Sequence, residues 1–332
     1  MTAPVHWGVG SVASINAATV PAILASTSAV LAGFASRDPE RARLAAEEWG
    51  GAGYAGYDAL LADPGVEAVY VPTPNAQHAE WVHRAIRAGK HVLCEKPLAV
   101  TVEEARGMVA AAAEAGVLLS EAFMYLHHPR YTRLRELLAA GAIGELRGIH
   151  VVFTFDASDE LEHSGFQGAP GSGAIYDVGC YAVHVARMLT GAEPEAVTAH
   201  AAVSAPHGGI DMSTALLLEF PGGVAATAQL GMWSADLDTV TVIGSRGRVE
   251  VPSAFLRGPD DHVLLLTDAD GARRIETPRA DHYECQIARF DAAVRGEGAL
   301  LLPPDDAVRQ AEALDAATLS WRERRRVEIS AR

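Results

Sequence analysis

Short apolar runs separated by longer amphipathic or alanine-rich stretches set the rhythm of the first part of the chain. Residues 5–10, 30–35, 66–71, 91–94 and 117–120 are too short for helices and show little polar alternation, as strands covered on both faces do. Residues 15–25, 39–49, 78–88 and 102–115 have helical length, and Tyr57 starts a shorter helix. Strands of this length alternating with such helices predict a parallel, doubly wound sheet.

Beyond Gly144 the period changes. Residues 148–155, 197–204, 214–220, 224–232 and 239–243 read as longer strands with partial period-2 alternation. Pro221-Gly222-Gly223 makes a tight turn between two of them. An antiparallel sheet is expected, interrupted by a helical insert around 177–190 and followed by helices over 283–295 and 305–321. The change of rhythm places a boundary near residues 120–125, with 121–140 as a connecting helical region.

The 332-residue length suits two domains, and a chain 49% hydrophobic and 21% charged is globular in composition. A formal net charge of −15 argues against nucleic acid or an anionic membrane surface as partners. The basic cluster of Arg322, Arg324, Arg325 and Arg326 reads as a solvated helix end. Cys94, Cys180 and Cys285 are odd in number and widely spaced, which indicates neither a disulfide framework nor a metal site. With no long apolar segment and no basic start, the expected location is cytoplasmic.

Gly8-Val9-Gly10-Ser11-Val12-Ala13 fits G-x-G-x-x-A directly after the first strand. Glycines there allow a tight turn and close approach of backbone amides to a pyrophosphate at a helix N-terminus. The second strand ends in Ser36-Arg37-Asp38. A hydroxyl and a guanidinium at that tip suit a ribose 2′-phosphate, which favours NADP(H) over NAD(H), although Asp38 offers the carboxylate an NAD site uses. Pro72-Thr73-Pro74-Asn75 follows the third strand, with Asn75 a candidate N-cap and His78 one helical turn on, along the path of the cofactor.

Two reactive groups stand apart from the cofactor motif. Lys96 sits in Cys94-Glu95-Lys96-Pro97, at the carboxyl end of a strand, where open α/β sheets bind ligands. A desolvated ammonium there can hold a substrate oxygen. A lone lysine would read as a surface cap, and Pro97 beside it argues for a rigid, built position. Farther on, Asp177, Tyr181 and His184 follow a glycine-rich approach at spacing i, i+4, i+7, which puts them on one helix face. Tyrosine near a lysine is a competent general acid, and a carboxylate can orient a substrate hydroxyl.

Together these motifs, with Ala88 to Leu98, Glu121-Ala122-Phe123-Met124-Tyr125 and the segment from Gly173 to Tyr181, resemble the Gfo/Idh/MocA family of oxidoreductases over nearly the whole chain. The resemblance implies an α/β fold: an N-terminal Rossmann doubly wound parallel sheet plus a C-terminal α+β domain with a large, mostly antiparallel open sheet. The division expected is 1–122 for dinucleotide binding and 123–332 for substrate binding and oligomerisation, with the closing helices free to pack back on the first domain. It further implies a catalytic Lys96, a cis Pro97, and Glu95 and Lys96 beside the cofactor. Tyr125 and His128 are expected with Lys96, Asp177, Tyr181 and His184 at the substrate. A homodimer or homotetramer through the C-terminal sheet is implied as well.

Tyr181 stands where many family members have histidine, as in the sugar 1-dehydrogenase, dihydrodiol dehydrogenase and deoxysugar 3-ketoreductase branch. His184 replaces the aspartate of the inositol dehydrogenase pattern, and Leu126 and His127 depart from the branch's Arg and Phe. The expected activity is NAD(P)-dependent hydride transfer to or from a carbinol or keto carbon of a sugar or cyclic polyol. Dihydrodiol or inositol dehydrogenase-like activity is the alternative, and an NAD-dependent glycosidase or a dinucleotide-sensing regulator is more remote.

Overall fold

Six short strands, most of them apolar on both faces, form the first sheet of the computed structural model, which describes residues 3–159 and 168–329. They are β1 (Val5–Val9), β2 (Ala29–Ala35), β3 (Ala52–Tyr54), β4 (Ala68–Val71), β5 (His91–Cys94) and β6 (Leu119–Glu121), in the order β3-β2-β1-β4-β5-β6 with all neighbours parallel. All four residues of β4 are buried, which is why its sequence shows no alternation.

Helices α1 (Asn16–Ala25), α2 (Pro39–Trp49), α3 (Tyr57–Ala62), α4 (His78–Arg87) and α5 (Val102–Ala115) fall where their patterns predict. Asp38 caps α2 by accepting from the Glu40 amide, and Thr101 caps α5 by accepting from Glu104. Asn75 does not stand at the N-cap position of α4. Asn75 opens a 3-10 turn, and the N-cap position of α4 is Gln77, without a side-chain bond.

The sheet order reverses between β1 and β4, and ligands of such sheets bind beyond the carboxyl ends of the strands at that point. Strand β3 was not expected. Its Ala-Gly-Tyr sequence carries no strand signal, and it exists by pairing with the edge of β2. Helix α8 (His282–Val294) joins this unit. Its Asp291 accepts from Trp7 Nε1 at 2.8 Å and from Ser28 Oγ at 2.7 Å.

Cα packing groups residues up to His127 with Asp281–Val308 as one unit, and His128–Ala280 with Arg309 onward as the other. The second unit contains α6 (Pro129–Ala139) and α7 (Cys180–Thr190). Its sheet comprises β7 (Leu146–Asp156), β8 (Ala196–Ser204), β9 (Ile210–Phe220), β10 (Val224–Gly231), β11 (Trp233–Gly244), β12 (Arg248–Pro252), β13 (Val263–Asp268), β14 (Gly271–Glu276) and β15 (Val327–Glu328). Most of α9 (Asp306–Glu323) also belongs here.

The strand order is β14-β13-β12-β11-β7-β10-β9-β8-β15, antiparallel except for the pair β7–β10. Val240, Val151, Ala228 and Leu216 lie in register across one buried face, while Leu217, Leu237 and Ile243 sit on the other face and are exposed. The helices expected over 283–295 and 305–321 are α8 and α9, whereas the strand reading ended at residue 243 and missed β12 to β15. No helix among the described residues is long and apolar enough to cross a membrane.

Candidate active site

In the first unit the glycine turn leaves β1 toward α1. Gly10 donates its amide to the Tyr70 carbonyl at 2.8 Å, and a Cβ on Gly10 would stand 3.1 Å from that same oxygen. The position is therefore shaped by close approach to β4. Ser11, Val12 and Ala13 are part-exposed, and their path is held by Asn16 Nδ2 on the Ser11 carbonyl and Arg41 Nη2 on the Val12 carbonyl, at 2.8 and 2.7 Å. Gly8 is buried against Leu60.

At the tip of β2, Ser36 is buried and accepts from the Asp38 amide, while Arg37 is exposed. Asp38 accepts from the Glu40 amide as the α2 cap. Arg41, four residues after Arg37, brings a second guanidinium to the glycine turn. Sequence reading missed it, although its i, i+4 spacing from Arg37 on a predicted helix start was a usable signal.

Three side chains hold the loop that bears Lys96. Tyr70 donates to Glu95 Oε1 at 2.5 Å and accepts from Thr19 Oγ1 at 3.1 Å, and Glu95 Oε2 accepts from the Lys96 amide at 3.3 Å. Burial, followed by the Glu95 charge, pushes the Tyr70 hydroxyl well above its usual pKa, so it remains a donor. His78 lies between the carbonyls of Pro97 and Thr73, at 2.9 and 2.8 Å, and ties the Pro72–Asn75 loop to the lysine loop. Desolvation holds the ring below its ordinary pKa. Glu121 Oε1 accepts from the Leu98 amide at 2.9 Å. The Lys96–Pro97 peptide is cis. Lys96 itself is part-exposed.

His78 is fully buried, at 0% exposure, and staples the two loops together. Thr73 Oγ1 and Asn16 Oδ1 are buried and find no hydrogen-bond partner among the described residues. Unpartnered polar atoms at the ends of β4 and of the glycine turn fit a dinucleotide bound along this edge. Pro74 is exposed and Asn75 half-buried beside them.

In the second unit the approach to α7 is a π turn, Ile175–Gly179, continuous with the helix. Asp177 lies in that turn, which rotates it about the axis relative to an unbroken α-helix, and it is half-buried while Tyr181 and His184 are buried. The simple one-face arrangement expected from spacing is modified accordingly.

The Tyr181 ring packs against Phe153 of β7 and Phe255, with centroids 5.3 and 5.1 Å away, and those two stack on each other at 5.2 Å. Phe255 is fixed from behind. Its amide and that of Leu256 donate to the Asp238 carboxylate, while Arg130 donates to the carbonyls of Pro252, Ser253 and Ala254. Neither phenylalanine was singled out from the sequence. Tyr125 is fully buried and meets Phe123 edge-on, and His128 caps α6 by accepting from the Arg130 amide at 3.1 Å. Among the described residues no group of three His, Cys, Asp or Glu is arranged to hold a metal.

Two family models match this chain: the "Oxidoreductase family, NAD-binding Rossmann fold" over residues 8–123, and the "GFO/IDH/MocA C-terminal domain" over 131–250. An uncharacterized oxidoreductase, ORF334, of Rhizobium meliloti is 39% identical, covering 88% of this chain and 89% of its own. The dTDP-3,4-didehydro-2,6-dideoxy-alpha-D-glucose 3-reductase of Streptomyces violaceoruber is 38% identical over 84% of this chain and 82% of its own. A solved 3-ketoreductase from Actinomadura kijaniata, in complex with NADP and TDP-benzene, superposes with a TM-score of 0.89 at 34% identity, covering 96% of this chain and 98% of its own. The fold, a parallel six-stranded sheet and a larger, mostly antiparallel one, agrees with these matches. This chain belongs to the Gfo/Idh/MocA family of NAD(P)-dependent oxidoreductases.

Proposed function

We propose that the protein is an NADP(H)-preferring oxidoreductase of a sugar or cyclic polyol, with reduction of a keto-sugar its favoured reaction. The carrying observation is Tyr181, set in a ring cluster on a helix entered through a π turn with Asp177 one turn earlier. A phenol so fixed serves a proton transfer to one oxygen. The 38% identity to a keto-deoxysugar 3-reductase supports the direction and substrate class.

When bound, the nicotinamide supplies or takes the hydride. Tyr181 exchanges the proton of the substrate oxygen, Lys96 polarises that oxygen, and Asp177 orients a neighbouring hydroxyl. His184 shapes the pocket. Gly8, Gly10, Ser11, Val12 and Ala13 form the pyrophosphate turn, with Thr73, Pro74, Asn75 and Glu95 along the cofactor. A screen of keto-sugars, aldoses and polyols with NADPH, NADP, NADH and NAD, followed by nicotinamide absorbance, tests the reading. Turnover of none of these classes would reject it.

Cofactor preference rests on Ser36, Arg37 and Arg41, with Asp38 withdrawn as a cap. Arg37→Ala is expected to raise KM for NADP(H) by about 10- to 150-fold, the worth of one charge-assisted contact of about 1.5–3 kcal/mol. KM for NAD(H) should change little. Equal effects on both cofactors would return Asp38 to the ribose. The homo-oligomer expected from the family would use the open face carrying Leu217, Leu237 and Ile243, and light scattering reads its size.

A further inference from the structure

The residue that begins this inference is Asp211, near the start of β9, only 4% exposed and outside every motif read from the sequence. Its Oδ2 accepts from the Ile175 amide at 2.9 Å and from Thr214 Oγ1 at 2.8 Å. Ile175 is the first residue of the π turn, and the N-cap residue Ala174 supplies no side-chain bond of its own. Gly173 stands in the left-handed region at φ +104°, and a Cβ there would lie 2.0 Å from Asp211 Oδ1. Glycine is therefore required at that point to admit the carboxylate. Asp177 follows two residues after Ile175 and Tyr181 six after, so a rotation at the entry is carried along the helix to both.

We propose that Asp211 is a positioning residue for the reaction, its carboxylate holding the entry of the helix that carries Asp177 and Tyr181. The proposal rests on the reading of Tyr181 as the proton-transferring group. A negative charge at this end of a helix is favoured by the helix dipole, and a charged acceptor holds its donors more firmly than a neutral one.

Burial, the largest influence, raises the Asp211 pKa from the ordinary 3.8 to about 6, opposed by Thr214, by the Ile175 amide and by Arg322 of α9. Tyr176, on the π turn, faces Asp211 itself together with Asp315 and Arg322 of α9. A raised folded-state pKa means that the folded chain binds more protons than the unfolded one between these two values. Its contribution to stability is full below 3.8 and is lost as pH rises through about 6. At neutral pH that proton-linked contribution is gone, and what the ionised carboxylate supplies is its bonds to the Ile175 amide and Thr214.

Asp211→Asn is expected to lower kcat at neutral pH about 10-fold or more. NADPH binding should persist and Tm should not fall. Wild-type kcat should decline as pH drops through about 6, and the variant should lack that limb. Thr214→Val removes a bond that favours the carboxylate and should move the limb upward by about 0.5–1 pH unit. An Asn variant with wild-type kcat and an unchanged limb overturns the proposal. Should the Asn variant fail to fold, an unmoved limb in Thr214→Val overturns it. Tyr181→Phe is run in parallel. If it is nearly silent, the underlying reading falls, whereas an inactive Tyr181→Phe beside a fully active Asp211→Asn removes the role of Asp211 alone.

Discussion

Lys96→Met is expected to lower kcat by about 10²-fold or more while NADPH still binds with near wild-type affinity. The two readouts separate because the lysine's carriers and its charge do different things. Its loop is held by Tyr70 on Glu95, by His78 on the Pro97 carbonyl and by Glu121 on the Leu98 amide, none of which uses the ammonium. The pyrophosphate turn is held separately by Asn16 and Arg41. Methionine keeps the length and apolar stem of the side chain, so the loop should keep its shape. Fluorescence titration with NADPH and steady-state turnover are measured on the same preparation. A variant retaining more than about a tenth of wild-type kcat would show that the amine does not act at the reacting oxygen.

Tyr181→Phe should cost about 10²–10⁴ in kcat with little change in stability. Phenylalanine keeps the ring contacts with Phe153 and Phe255, and those contacts position the ring. What is removed is the hydroxyl, so the loss reports proton transfer, and the pH–rate limb belonging to that acid should flatten. His184→Asn should alter KM or substrate range and keep most of kcat. The reverse ranking, with His184 indispensable and Tyr181→Phe nearly silent, would assign the proton to the histidine and reopen the substrate class.

Much of the fold was legible because its signals are local. Strands buried on both faces must be short and apolar, and the helices between them have lengths and patterns readable over a few turns, while the caps Asp38 and Thr101 were seen only in the structure. β12, Arg248-Val249-Glu250-Val251-Pro252, alternates plainly and β13 opens on an apolar run, and both were missed, whereas β3, β14 and β15 carry little signal. Gly271-Ala272-Arg273-Arg274-Ile275-Glu276 has no alternation to detect, and it is a strand because β13 offers it an edge. The π turn at Ile175–Gly179 was hidden for a related reason, since its sequence suits an ordinary helix.

The candidate site divides along the same line. The sequence by itself offered the candidate groups, namely the glycine turn, Arg37, Lys96, Asp177 and Tyr181, because each stands near a strand or helix end predictable from its neighbours. Tertiary structure alone decided which residues hold them: Tyr70 on Glu95, His78 between two carbonyls, Phe153 and Phe255 around Tyr181, and Asp211 at the helix entry. It also showed Asp38 and His128 as helix caps and Tyr125 packed edge-on against Phe123. The physical reason is range. Backbone propensity and periodicity act over a few residues, whereas a supporting hydrogen bond or ring contact joins positions tens of residues apart and leaves no trace in local spacing.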